Sequence, residues 1–406
     1  MRTYYQLTIF LFLTLQGFVS AQEISQWRGT NHNGNYPETN LLTTWPEGGP
    51  QLLWKYDSLG SGYASAAVTS NNVFTVGAID SISYVFNFNK NGKLLWKKPL
   101  GREWMENWPG IRSTPTIYKG LGYVTNGFGV LYCFNAENGN IVWKKDLLKE
   151  YNARYLEFGF CDNLVVDGNS LFCTPGGTDA NVVALDRFSG DVIWISAANR
   201  DSSVYASPTF IEIGHKKFFV NATMNSIFAL NAENGELAWN YPLKRKWHPN
   251  TPVYQDGYLY FVDGGENGSL LLKINDDGTK VDLAWQNDKL SPIQGDAVLI
   301  NDRLYGYSGS RTKFMCIDWK TGNEIYADSI NRQMITVISD QNLLYLYSDK
   351  GDFSLLKPTE NRFEKVGYFK VQGGTKIHCS HPVINDDCLY VRHDNSLFVY
   401  DISSEK

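Results

Sequence analysis

A glycine followed four residues later by an aromatic residue recurs along this chain: Gly92 to Trp96, Gly139 to Trp143, Gly190 to Trp194, Gly235 to Trp239 and Gly322 to Tyr326. Gly278 reaches Trp285 across a short insertion, and Trp54 and Tyr368 extend the series at its two ends. Successive aromatics stand 42, 47, 51, 45, 46, 41 and 42 residues apart. A single irregular core imposes no such period. A stacked supersecondary unit does, and four strands per unit is the leading solution at this spacing.

Each unit reads alike. An apolar strand opening on Ser/Thr-Pro ("STPTIYKG", "ASPTFIEIG", "NTPVYQDG") turns into a second strand ("LGYVTNG", "KKFFVNA", "YLYFVDG"). A third strand ends in Asn or Asp, and a Gly turn opens the fourth, which bears the aromatic. Proline suits an innermost strand with one unpaired edge, and helical periodicity is almost absent. Seven units fit between Ser61 and Val371. The stretch "KIHCSHPVINDDCLYVRHDNSLFVYDI" supplies three more strands and stops where its fourth should begin, whereas "PQLLWKY" near the N-terminus is a fourth strand without a unit. Pairing the two closes a ring and removes a free sheet edge. The expected fold is all-β: a single eight-bladed β-propeller of four-stranded antiparallel blades, closed by N- and C-terminal strands. The expected organisation is a signal peptide over 1–21, a lead-in over 22–50, the propeller over 51–402 and a tail over 403–406.

The periodic aromatics, Trp54, Trp96, Trp143, Trp194, Trp239, Trp285, Tyr326 and Tyr368, are assigned to packing, because a duty that repeats with the fold is structural. Cys133 and Cys316 hold a place that Ala184 and Ala229 fill in sister units, which marks them as core thiols. Six cysteines leave several disulfide connectivities open. The first residues, "MRTYYQLTIFLFLTLQGFVSAQE", join Arg2 to an apolar run and the small-x-small pattern Val19-Ser20-Ala21. They read as a cleaved export signal, too short for a membrane span. No Cys follows that run, so the mature chain is expected without a lipid anchor, in the periplasm or outside the cell. With 37 Lys and Arg against 42 Asp and Glu and no basic stripe, nucleic acid is set aside as a partner.

The Asn/Asp-x-x-x-Gly-x-x-x-Trp signature, the lead-in "QWRGTNHNGNYPETNLLTTWPEGGPQLLWKY" and the stretch "CTPGGTDANVVALDRFSGDVIW" together resemble the pyrroloquinoline-quinone-like propeller repeat family. Quinoprotein alcohol dehydrogenases belong to it, as does the propeller subunit of the outer-membrane protein assembly machine. The resemblance implies the fold over nearly the whole mature chain. It implies no activity by itself, since the repeat is a packing device shared by catalytic and non-catalytic members. Catalytic members carry two adjacent cysteines beside the cofactor, long loop excursions and a calcium ligand set. This chain has no Cys-Cys pair, mostly short connections between blades and no local motif on which calcium ligands can be placed. No catalytic residue is carried over and no cofactor is expected; pyrroloquinoline quinone with calcium belongs to the rival reading. The cluster His378-Cys379-Ser380-His381 sets its two histidines on opposite sides of a strand, so no metal site is expected there either.

The loops from each outer strand to the next inner strand are left for binding, because they line one face of the central channel. They carry Trp104, Trp108, Arg112, Arg154, Glu157, Tyr205, Lys246, Trp247, His248, Gln294, Asp296, Arg332, Lys376 and His378. Aromatic plates among cations suit a planar or anionic ligand; the blander reading is a solvated rim over the sheet ends. The function expected is a non-catalytic binding or scaffolding propeller of the cell envelope, a monomer whose partner is an envelope protein or a small ligand. The rival is a quinoprotein oxidoreductase acting on an alcohol or sugar. A carbohydrate-binding propeller is a third reading, carried only by the aromatic rim.

Overall fold

Eight antiparallel sheets stand in a ring, each contributing four strands to one blade of a β-propeller. The computed structural model describes residues 24–153, 157–264, 267–330, 333–340, 342–374 and 376–404; the export signal expected over 1–21 lies outside them. In the first blade, the middle strands Asn72–Ile79 and Ile82–Asn89 are buried almost throughout, while the outer strand Leu94–Arg102 alternates. Middle strands are covered on both faces by neighbouring blades, so they read as continuous apolar runs; outer strands have a wet side. Ring closure is as the sequence demands. Gln51–Tyr56 pairs antiparallel with Ser396–Asp401, placing Gln51 opposite Asp401 and Trp54 opposite Val399.

The Gly and Trp periods have one physical cause, and it acts between blades rather than within one. A Cβ added at Gly92 would lie 2.6 Å from the Trp54 indole, one at Gly139 2.7 Å from Trp96, one at Gly190 2.9 Å from Trp143 and one at Gly235 2.6 Å from Trp194. Each of these indoles therefore lies flat on the glycine turn of the next blade, whereas Gly278 meets Phe218 in place of Trp239, whose N–H finds no acceptor among the described residues. The seated indoles also donate their N–H to a carbonyl of that turn: Trp54 to Lys90 at 2.9 Å, Trp96 to Glu137 at 2.7 Å, Trp285 to Trp319 at 2.8 Å. Only glycine leaves room for the ring.

Blade seven departs from this pattern. Every outer strand is bulged one residue before its aromatic position, and in blade seven the residue in register after the bulge is Gly367, opposite Leu355. Tyr368 stands one place further on, 44% exposed, and donates to Asp352 within its own blade. The vacated space holds Trp45 of the lead-in, whose ring packs against Gly367, Phe353 and Phe369. The lead-in thus supplies the indole that blade seven lacks.

The lead-in also plugs part of the channel. Ile24–Ser25 pairs with the innermost strand of blade two, Thr116–Tyr118, on the channel side. The chain runs inward to Trp27 and Arg28, turns back with Gly34 N–H donating to the Arg28 carbonyl, and leaves beside blade seven, where Tyr36 N–H donates to Ser339. Arg28 is 1% exposed and forms an ion pair with Asp296 at 3.4 Å. Its guanidinium also donates to the carbonyls of Asn33 and Ala297 at 2.9 Å and meets His381 Nδ1 at 3.2 Å. A Cβ on Gly34 would fall 2.7 Å from that guanidinium, so the return turn needs glycine. A buried cation persists only when paired and fully hydrogen-bonded, and this one is.

Candidate functional site: an aromatic funnel over a plugged channel

Above the lead-in, on the face built by the loops between blades, lies a funnel of about 200 Å³. Loops leading into every blade except the seventh contribute described residues to its wall. Trp108 meets Tyr63 edge to face at 5.7 Å, Phe158 meets Tyr205 at 5.6 Å, and Trp247 meets Phe158 at 6.1 Å. Trp247 and Trp108 are 44% and 37% exposed, a costly placement for indoles that no neighbouring chain segment covers.

Two arginines give the funnel its charge, in different ways. Arg112 is tied to the protein: it donates to the Asn107 carbonyl at 2.8 Å and also to the carbonyls of Trp108 and Phe158. It staples two loops, which holds both aromatic walls. Arg245 lines the funnel with its backbone N–H on Asp263 at 3.1 Å, and its guanidinium has no carboxylate partner among the described residues. Among the described residues no carboxylate or histidine lines the wall. Cys161 and Cys379 do, but burial pushes both thiols up, Cys379 to about 12, and likewise Tyr63 to about 12. Thiols held protonated are poor nucleophiles, and no base sits beside them.

Five of the sequence-predicted residues meet here: Trp108, Arg112, Tyr205, Trp247 and Gln294. The others lie elsewhere. Trp104 is buried against Phe128 and donates to the Asn107 carbonyl at 3.2 Å. His248 is fully buried beside Phe261, and burial pulls its imidazole below the usual range. Asp296 grips the lead-in, accepting from Asn250 Nδ2 at 2.7 Å and Thr251 N–H at 3.0 Å besides pairing with Arg28. Lys376 donates to Ser61 at 2.9 Å, and His378 stacks on His393 with centroids 3.3 Å apart. Glu157 is exposed, Lys246 does not line the funnel, and Arg154 and Arg332 lie outside the described residues. Cys133 and Cys316 are buried, and all six cysteines are unpaired.

Sequence reasoning missed Tyr63, Phe158, Cys161, Arg245, Pro249, Ile293 and Cys379. Most sit in the loops already singled out, one or two residues from those chosen. Tyr63 alone comes from an overlooked loop, the one from the closing N-terminal strand into blade one. That strand already reads as an outer strand from the sequence, and counting the loop after it among the others would have found Tyr63.

A quinone with calcium does not fit this wall. The metal half of such a pair needs several oxygen ligands, yet among the described residues the lining offers no carboxylate and no three of His, Cys, Asp and Glu converge to hold a metal. The volume also falls below the roughly 300–1,000 Å³ usual for pockets that bury a whole ligand of that class.

The comparisons agree with the fold and divide on activity. Residues 80–328 match the family model described as outer membrane protein assembly factor BamB. Tetrathionate hydrolase of Acidithiobacillus ferrooxidans is 25% identical over 230 residues, 53% of this chain and 44% of that protein. Quinoprotein alcohol dehydrogenase PedH of Pseudomonas putida is 28% identical over 174 residues, 39% of this chain and 27% of that one. The chain thus spans less than half the length of these two curated relatives. The crystal structure of BamB from Moraxella catarrhalis superposes with a TM-score of 0.63 at 13% identity, covering 86% of this chain and 99% of that one. Among the described residues no helix is long and apolar enough to cross a membrane. With the family model matched across more than half of its 406 residues, the chain belongs to the family described as outer membrane protein assembly factor BamB.

Proposed function

We propose that this chain is an exported, non-catalytic propeller of the cell envelope that binds an envelope protein, or a small ligand, through the aromatic funnel. The observation that carries the reading is the composition of the wall: exposed indoles and an Arg245 without a carboxylate partner, with no base, activated nucleophile or metal ligand set beside them among the described residues. Such a surface offers stacking and charge pairing to a partner's apolar or anionic group and offers no means to move a proton or bond. The export-signal reading of residues 1–21 and the family membership both favour the envelope as the compartment.

A photo-crosslinking residue at position 247 should yield one discrete adduct in intact envelopes, and the same residue at Leu95 on an outer strand should not. Arg245→Ala should reduce that adduct without lowering the melting temperature. Dye-linked alcohol or sugar oxidation above a no-protein control, after reconstitution with quinone and calcium, would overturn the proposal in favour of an oxidoreductase.

A further inference from the structure

We infer that the opposite mouth of the channel holds a second binding site, for a neutral saccharide, between the lead-in and the inner ends of blades three to five. The inference does not rest on the funnel. A cavity of about 500 Å³ opens there because the lead-in leaves the channel beside blade seven and fills only part of its width. Gln26, Asn31 and His32 form one wall; Asp167, Phe210 and Tyr254 stand among the residues across from them.

Two polar atoms of the lead-in point to a ligand. Gln26 and His32 are 7% and 4% exposed, and Gln26 Oε1 and His32 Nδ1 have no hydrogen-bond partner among the described residues. Burying a polar atom without a partner is costly, and native structures keep few of them. Both belong to side chains that line the cavity, and because the two atoms are themselves closed off, a bound group would reach them through a turn of the amide or the imidazole.

The rest of the wall selects the class. The one ammonium among its described lining residues, Lys217, is neutralised by Asp167 at 2.8 Å and Glu212 at 3.2 Å, which leaves a surplus carboxylate and disfavours an anion. Burial keeps His32 neutral, pulled down to about 4. Amide, hydroxyl and carboxylate groups supply donors and acceptors together, as a polyol requires, and Phe210 and Tyr254 give ring carbon to an apolar sugar face. The volume suits a mono- or disaccharide.

The test uses the mature full-length chain and a panel of gluco-, galacto- and manno-configured mono- and disaccharides, with inorganic phosphate as the anionic probe, by saturation-transfer NMR and calorimetry. At least one saccharide should bind saturably. Asn31→Ala, an exposed change that leaves the core untouched, should weaken it about tenfold, roughly one lost hydrogen bond to a neutral group, and His32→Gln should do the same. Trp247→Ala at the other mouth should leave the affinity unchanged. The inference fails if no saccharide saturates, if neither lead-in variant alters binding, or if phosphate binds here in place of sugars.

Discussion

Gly190 and Trp143 show why these two residue types travel together along the chain. The glycine holds φ at +77°, and an added Cβ would sit 2.9 Å from the indole of the preceding blade, whose N–H donates to Arg187 at 3.2 Å. Trp143→Ala should cost about 3–5 kcal/mol, the scale of a large-to-small core change. Gly190→Ala should also destabilise, but less in the Trp143→Ala background, where the methyl has space. Denaturant melts of the four proteins give that coupling directly. His378 makes a second residue-scale claim. Burial first, then the neighbouring His393, pulls its folded value from 6.5 down to about 3. A depressed histidine value means the unfolded chain takes up the proton first, so the stability due to this group is whole above about pH 6.5 and is lost as pH falls toward 3. Buried carboxyls such as Glu103, pushed up to about 7 by desolvation, act in the opposite direction. The informative measurement is therefore a difference: melting temperature should decline less between pH 7 and 4 in His378→Gln than in the wild type.

At the scale of elements, the lead-in is the least conventional part of the molecule. It is short and mostly irregular, yet it enters the channel, returns, and supplies Trp45 to blade seven before becoming the closing strand. Its hold on the channel centres on Arg28. Asp296→Ala would leave a guanidinium buried without a countercharge, which typically costs about 3–5 kcal/mol. Arg28→Met in the same background should recover part of that loss, because the stranded charge is then gone. Thermal unfolding of the single and double variants tests this; a double variant no better than Asp296→Ala would show that packing, not charge, holds the lead-in.

For the whole molecule, ring closure decides how it unfolds. Open repeat arrays are quasi-one-dimensional and can lose cooperativity as blades separate. Here the outer strand of blade eight comes from the far end of the chain, and the lead-in touches blades two, five, six, seven and eight. Wild-type unfolding should be a single transition, with tryptophan fluorescence and far-ultraviolet circular dichroism superimposable. Deleting Gln51–Tyr56 should split the two probes, since it exposes the edge of blade eight and uncovers Gly92. Coincident transitions in the deleted chain would show that the contacts between blades suffice without closure. The plug also separates the two mouths. Cys379 and Gln294 line the funnel, while His381 and Asp296, two residues along the same loops, hold Trp27 and Arg28 beneath it.

The sequence by itself determined the blade count, the antiparallel order and the closing strand. Those features rest on chemistry that repeats locally: a glycine turn, a bulge, an indole and an apolar strand recur with the fold, so each copy reinforces the reading of the others. It also marked the loops between blades as the place for a site. Only the tertiary structure decided which loop residues converge, because a loop side chain takes its direction from whatever packs beneath it. Trp104, His248 and Asp296 are turned inward by buried neighbours, and Arg112 is held by backbone carbonyls. Tyr368 shows the same limit in a strand, where the shared bulge puts Gly367 at the aligned position and leaves the tyrosine one residue beyond it. The course of the lead-in was hidden for a related reason. Nothing local in Arg28 names Asp296, 268 residues away; the two meet only because eight blades enclose a channel wide enough to admit a segment of the chain, and a charge buried there must find its partner on the surrounding wall.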